Sequence, residues 1–218
     1  MPGLFELSGP AMPPVRGGAP DALVVLLHGY GADGNDLIAL APHLGQAAPG
    51  AQFVSPNAPF PCEMGFGRQW FGASDRSPEA YLGGTRAAAA ILDGFLDDQL
   101  AALGLEEGRM ALVGFSQGTM MALHVAPRRP TACAGVVGYS GRLVAPELLP
   151  EEAVSRPPVV LVHGDADEVV PYAAMAEAQN GLEAAEFSVE SHSRPGLGHG
   201  IDQEALVLGA RFLAKVLG

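Results

Sequence analysis

One pentapeptide constrains the fold of this chain more than any other segment. Gly-Phe-Ser-Gln-Gly at 114–118 directly follows a strand-like run at 109–113 and precedes a helix-like run at 119–126. A serine on so tight a turn is forced towards a sparsely allowed backbone conformation, and flanking glycines let the strand and the helix pass closely. The turn also aims the Ser116 hydroxyl outward and leaves the next backbone N–H at a helix N-terminus, where developing negative charge is favoured. The pattern therefore predicts a nucleophilic serine.

The rest of the chain alternates short apolar runs with helical patterns. The apolar runs are typical of buried parallel strands and lie at 23–27, 51–55, 110–115, 134–139, 159–162 and 187–190. The helical patterns lie between and after them, at 36–48, 79–103, 172–182 and 202–217. Such alternation predicts an α/β fold with a mostly parallel, doubly wound sheet and helices on both faces. Function in such a sheet collects at the carboxyl ends of the strands.

Length and charge narrow the class of protein further. A chain of 218 residues fits a single α/β domain spanning 1–218, with 1–20 as a loosely held lead-in that contains a short strand around 5–7. The net charge of −12 disfavours nucleic acid and anionic membrane surfaces as partners. The N-terminus lacks a basic region followed by an apolar stretch, and no run approaches the length of a bilayer span. We therefore expect a soluble, cytoplasmic protein without stable membrane anchoring.

Four strand ends carry side chains suited to chemistry. His28 follows the first run, Ser116 the central one, Asp165 and Asp167 the fifth, and His199 the last. A serine hydroxyl needs an imidazole to take its proton, and that imidazole needs a carboxylate to fix its tautomer. The order nucleophile, acid, histidine along the chain is the one expected of α/β-hydrolases.

The acid and the base each have a rival in the sequence. Asp165 also follows the fifth strand and could be the acid, although it lies nearer the strand end, where a carboxylate commonly holds a turn through backbone N–H groups. His192 rivals His199 by position. Gly198 and Gly200 flank His199 and permit a tight loop that presents the ring, whereas His192 lies in a polar stretch.

These motifs together resemble the carboxylesterase/phospholipase family, which includes bacterial carboxylesterases and acyl-protein thioesterases. The resemblance covers the chain from about residue 23 to its end. The matching segments are 27–31 with 33–36, 55–59, 68–71, 114–118, 163–165 with 167–171, and 196–201. Departures are small: Thr119 stands where a smaller residue is common, and Glu168 stands where proline is frequent.

The resemblance implies specific roles for residues of this sequence. It places the nucleophile at Ser116, the acid at Asp167 and the base at His199. It also implies an oxyanion hole formed by the backbone N–H groups of Tyr30 and Gln117, one after an early strand and one after the nucleophile. No cofactor is required by this chemistry.

An apolar loop at 56–78 follows one strand end and is the candidate substrate-binding segment. We expect Met64 and Phe66, with Val170 and Leu197 on other loops, to line a groove for an acyl chain. Trp70 is assigned to the same groove, with the alternative that it packs the loop onto the body together with Phe71. No long insertion separates the later strands, so we expect an open site without a large cap domain.

The expected activity is hydrolysis of carboxylic esters with short or medium acyl chains through an acyl-serine intermediate. The alternatives are an acyl-protein thioesterase or lysophospholipase with the same triad and, more remotely, a non-catalytic binding module on the same fold. The expected partner is a small ester or thioester, and the resemblance adds a possible homodimer. Cys62 and Cys133 are expected to be free thiols, and we expect no metal site.

Overall fold

A computed structural model describes residues 7–218, in which strands and helices alternate as the sequence predicts. The strands are β1 (Ala11–Met12), β2 (Ala22–Leu27), β3 (Ala51–Val54), β4 (Phe60–Pro61), β5 (Arg68–Gln69), β6 (Met110–Phe115), β7 (Gly135–Tyr139), β8 (Val159–Gly164) and β9 (Val189–Arg194). The α-helices are α1 (Gly34–Ile38), α2 (Ala41–Ala47), α3 (Pro78–Leu103), α4 (Gln117–Val125), α5 (Leu149–Glu152), α6 (Ala173–Ala184) and α7 (Gln203–Leu217).

Seven of the strands form the central sheet, in the order β1-β3-β2-β6-β7-β8-β9. All neighbours in it pair in parallel except β1, which lies antiparallel to β3 at the edge. The short strands β4 and β5 form a separate antiparallel ribbon. The predicted mostly parallel α/β sheet is therefore confirmed, and the described residues contain no helical cap inserted between the later strands.

The sheet separates two apolar cores, which explains why its central strands are apolar throughout. Along β2, Leu23, Val25 and Leu27 face one core with residues of α3, α4 and α6. The intervening side chains face the second core with residues of α1, α2 and α7. Side chains alternate across a strand, so a strand covered by helices on both faces has no polar side.

Three local predictions differ from the structure. The helix expected at 36–48 is two helices, because Pro42 lies in the first turn of α2, where its missing N–H costs nothing, and so marks a new helix start. The last strand is β9, at 189–194, rather than the expected 187–190. It lies half-exposed at the edge of the sheet and therefore tolerates polar residues at 190–194, which do not form the apolar run typical of a buried strand. The strand expected around 5–7 falls mostly outside the described residues, and Leu7 belongs to no strand.

The longest helix, α3, begins and ends at residues with clear local reasons. The Ser77 hydroxyl accepts a hydrogen bond from the Ala80 N–H at 3.3 Å, and Pro78 opens the first turn. Gly104 then ends the helix in the left-handed conformation with φ 65°. Neither α3 nor any other helix in residues 7–218 is long and apolar enough to cross a membrane.

Candidate active site

Ser116 occupies the turn between β6 and α4 in a strained backbone conformation, with φ 54° and ψ −114°. The two glycines of the pentapeptide make this turn possible. A Cβ on Gly118 would overlap the carbonyl oxygen of Leu27, and one on Gly114 would overlap the backbone of Thr119. Strain of this kind persists only where the surrounding structure holds it, and it is typical of functional residues.

Ser116, His199 and Asp167 form one hydrogen-bonded path. The Nε2 atom of His199 lies 3.0 Å from Oγ of Ser116, and its Nδ1 atom lies 2.8 Å from Oδ2 of Asp167. The three side chains come from the carboxyl ends of β6, β8 and β9, where a parallel sheet gathers its loops. The imidazole can therefore take a proton from the serine while the carboxylate fixes its tautomer.

Asp167 is buried and held as an anion. Its Oδ1 atom accepts hydrogen bonds from the backbone N–H groups of Val169 and Val170, both at 2.9 Å. His163 lies beside it, with Nε2 3.2 Å from Oδ2, and its ring also bonds the Val170 carbonyl. Burial raises the pKa of Asp167, but the hydrogen bonds from His199, Val170 and Val169 outweigh burial and lower it overall.

The structure separates the two rivals from this path. Oδ1 of Asp165 accepts a hydrogen bond from the Gly196 N–H at 2.7 Å, so Asp165 holds the turn that carries the His199 loop. His192 lies on β9 opposite Val162. Neither of them bonds Ser116. In the part of the chain that the structure describes, no group of three or more His, Cys, Asp or Glu side chains could hold a metal ion.

The backbone N–H groups of Tyr30 and Gln117, both near Ser116, have no acceptor within the described residues. Gln117 is the first residue of α4, so its N–H has no partner inside the helix. The loop carrying Tyr30 packs against the serine, since a Cβ on Gly29 would lie 3.4 Å from Cβ of Ser116. Both groups can therefore donate to an oxygen that becomes negative beside Ser116.

His28 holds the Tyr30 loop as a neutral imidazole. Its Nε2 atom accepts from the Ala58 N–H at 3.0 Å, so the proton lies on Nδ1 and points at the Gly29 carbonyl at 2.7 Å. Burial, the largest effect, lowers the pKa of His28 and keeps the ring uncharged. The Trp70 indole N–H donates to the His28 carbonyl at 3.0 Å and adds a second constraint on the same loop.

The Gln117 side chain ties the 56–78 loop to the Ser116 turn. Its amide oxygen accepts from the Trp70 N–H and its NH₂ donates to the Phe71 carbonyl, both at 2.8 Å. The residue is buried, and within residues 7–218 the Trp70 N–H and the Phe71 carbonyl have no other hydrogen-bond partner. No pattern in the sequence signals this side-chain role.

Replacing Gln117 with alanine should lower the free energy of unfolding by about 2–4 kcal/mol, because it leaves one buried N–H and one buried C=O without a partner. Urea denaturation measures this loss. Gln203 is the matched control, since it is also the first residue of a helix but is exposed, and Gln203→Ala should change stability by less than about 0.5 kcal/mol. Equal effects of the two substitutions would contradict the proposed tie.

A cavity of about 530 Å³ opens beside Ser116. Its lining residues can be compared with the residues expected to bind the substrate. Met64 and Val170 line the cavity. Phe66 is exposed on the same loop but outside the lining, and Leu197 is half-buried outside it as well. Trp70 is fully buried in the core, so its assignment to the groove is wrong and the packing alternative holds. Burying the large indole ring and bonding its N–H to the His28 carbonyl stabilises the fold of this loop more than an exposed position would.

Glu63 organises the rim of the cavity in a way the sequence did not reveal. Its Oε2 atom accepts hydrogen bonds from the Tyr30 hydroxyl, the Ser74 hydroxyl and the backbone N–H groups of Ala73 and Ser74. The bond from Ser74 is the largest of the effects that lower the pKa of Glu63. Two loops distant in sequence are thereby joined across the site.

Comparison with known proteins shows the family to which this chain belongs. The phospholipase/carboxylesterase family model matches residues 16–217. The chain is 28% identical over 190 residues to the esterase YpfH of Escherichia coli K12, covering 84% of this chain and 78% of that protein. It is 28% identical to acyl-protein thioesterase 1 of Schizosaccharomyces pombe, covering 90% and 92% of the two chains.

A solved structure gives a closer match. The crystal structure of esterase PE8 superposes with a TM-score of 0.93 at 44% identity, covering 97% of this chain and all of that one. The family model and these relatives indicate the same family as the motifs of the sequence, and the bond between Ser116 and His199 is the one expected of its members. The chain therefore belongs to the phospholipase/carboxylesterase family of α/β-hydrolases and is a carboxylic ester hydrolase.

Proposed function

We propose that the protein cleaves carboxylic esters with short or medium acyl chains through an acyl-serine intermediate. Ser116 is the nucleophile, His199 the general base and acid, and Asp167 the carboxylate that orients His199. The observation that carries the proposal is the continuous path from Asp167 through His199 to Ser116, which opens into the cavity. Two free N–H donors stand beside the same hydroxyl, as acyl transfer requires.

The proton moves along this path in both halves of the reaction. His199 takes the Ser116 proton as Oγ attacks the ester carbonyl, and the N–H groups of Tyr30 and Gln117 hold the oxyanion. The imidazolium then protonates the leaving alcohol, and the acyl group remains on Ser116. Water loses a proton to His199 and attacks the acyl carbonyl. The bond from the acyl carbon to Oγ then breaks, His199 returns the proton to Ser116, and the carboxylic acid is released.

The size and the lining of the cavity favour substrates with a short or medium acyl chain. Its volume of about 530 Å³ lies within the range of small-molecule sites, and Met64, Met120 and Val170 give it apolar walls. The acyl-protein thioesterase among the relatives favours a second candidate function, hydrolysis of thioesters at the same serine. Both reactions use one mechanism and differ in the leaving group.

A chain-length series of p-nitrophenyl esters tests the proposed function. We expect kcat/KM to be highest among chains of roughly four to eight carbons and to fall for the palmitoyl ester, because the cavity of about 530 Å³ must hold the leaving group as well as the acyl chain. A matched thioester series shows whether oxygen or sulfur leaves faster. Absence of hydrolysis for every ester would refute the proposal, and a maximum at palmitate would refute the short chain.

The remaining expectations concern partners and location. We propose that the protein acts in the cytoplasm on small esters and binds no nucleic acid, which its net charge of −12 supports. The exposed apolar side chains Met64, Phe66, Val169 and Tyr172 are consistent with the possible homodimer, since apolar patches often mark interfaces.

A further inference from the structure

Two arginine side chains line the candidate active site without a part in the proton path. Arg76 lies in the loop before α3, and Arg142 follows β7. Both line the same cavity as Ser116 and Gln117. Both arginines therefore border the space that a substrate would occupy.

Arginines without a partner are exceptional in this chain. Acidic residues outnumber basic ones by 24 to 12, and most basic side chains bind a carboxylate or a backbone carbonyl. Within residues 7–218, only Arg76, Arg142 and Arg211 donate no hydrogen bond and form no ion pair. Two of these three share one cavity. Guanidinium groups left free in a binding site are suited to carboxylates and phosphates.

The backbone that carries Arg142 is held in a fixed position. Ser140 adopts a left-handed conformation with φ 46°, and its N–H donates to the Val162 carbonyl at 2.9 Å. A Cβ on Gly141 would overlap the Thr119 side chain, so this turn packs tightly against α4. Arg142 is itself half-buried. A strained turn held in this way fixes the backbone position from which the Arg142 side chain reaches the cavity.

One carboxylate among the described side chains that line the cavity is free, like the two arginines. Glu168 also lines the cavity and is exposed, and it bonds neither arginine within the described residues. The other two carboxylates of the site are already bonded: Asp167 to His199 and two backbone N–H groups, and Glu63 to Tyr30, Ala73 and Ser74. The two guanidinium groups are therefore not paired with any carboxylate of the site within residues 7–218.

We propose that the preferred substrates carry an anionic group, a carboxylate or a phosphate, close to the scissile ester, and that Arg76 and Arg142 bind it. This inference rests on the proposed hydrolysis at Ser116 and adds the chemical class of the substrate. Two charge-assisted contacts near a partly exposed site should favour an anionic ester about tenfold over its neutral analogue.

Matched pairs of esters test this preference. 4-Acetoxybenzoate against its methyl ester places a carboxylate on the leaving group, and 4-acetoxyphenyl phosphate against phenyl acetate places a phosphate there. Mono-p-nitrophenyl glutarate against p-nitrophenyl pentanoate places a carboxylate on the acyl chain. The measured quantity is the ratio of kcat/KM, anionic over neutral, in the wild type and in the R76Q/R142Q variant.

We expect the R76Q/R142Q variant to lower this ratio about tenfold in at least one pair. The ratio is the readout because any general effect of the substitutions on the cavity acts on both esters of a pair. The pair that responds identifies the anion and its side of the ester. Arg211→Gln is the matched control, because Arg211 is free but lies outside the cavity, and its ratio should stay at the wild-type value.

The outcomes separate the inference from the proposed function. Hydrolysis of neutral esters with the same ratio in the wild type and R76Q/R142Q would overturn the anion preference alone. An equal fall in Arg211→Gln would also overturn it, because net charge rather than the cavity would then be responsible. A wild-type protein that hydrolyses no ester would refute the proposed function instead.

Discussion

Replacing Ser116 with alanine is expected to lower kcat/KM for p-nitrophenyl butyrate by at least about 10⁴-fold, because a methyl group cannot form the acyl-enzyme. The two N–H donors remain in place, so a small residual rate above that in water is expected. Initial rates measured with the purified variant give the loss directly. Mass spectrometry after treatment with an organophosphonate should find the adduct on the peptide containing Ser116 in the wild type alone.

Ser155 provides the matched control for this substitution. It is as buried as Ser116, at 8% exposure for both, but its hydroxyl donates to the Ala126 carbonyl away from the cavity. Ser155→Ala should keep kcat/KM within about threefold of the wild type. If Ser116→Ala retains wild-type activity, both the nucleophile and the proposed mechanism are wrong.

Asp167→Asn is expected to lower kcat/KM by about 10³ to 10⁴-fold, the size of loss that follows when the orienting carboxylate of a serine triad becomes an amide. An amide can present its NH₂ to Nδ1 of His199 and stabilise the tautomer that leaves Nε2 protonated. Such an imidazole cannot accept the serine proton. The loss should fall on kcat more than on KM, because the substrate cavity is unchanged.

Asp165→Asn separates this effect from a general effect of charge on the same loop. An asparagine oxygen can still accept the Gly196 N–H, so the turn should persist and kcat/KM should change less than about threefold. The two variants carry the same chemical change, Asp to Asn, at positions two residues apart. Comparable losses in both would contradict the assignment of Asp167 as the acid.

Much of this site could be predicted because its signals are local. The glycines at 114 and 118 are required by contacts within one strand-to-helix turn, so the pentapeptide alone indicates where a serine is presented. The apolar runs reveal β2, β6, β7 and β8 because both faces of each strand are buried. β9 was shifted in the prediction because a half-exposed edge strand lacks that signal.

Other features depend on contacts between residues far apart in the chain. Gln117 bonds Trp70 and Phe71 across more than 40 sequence positions, and Glu63 bonds Tyr30 across 33. No local pattern distinguishes these side chains from solvated ones. The assignment of Trp70 to the groove is wrong for the same reason. The sequence around an aromatic residue in a glycine-rich loop is the same whether the ring packs into the core or contacts a ligand.

The sequence by itself determined the α/β fold class and the strand-to-helix turn at Ser116, because apolar periodicity and turn geometry are properties of neighbouring residues. The family followed from the resemblance of its motifs taken together. Only the tertiary structure decided that His199 rather than His192 meets Ser116, that Asp167 rather than Asp165 meets His199, and that Arg76 and Arg142 share a cavity with the serine. Those facts depend on where separate strand ends converge. Distances between loops are set by the packing of the whole sheet, which no single segment encodes.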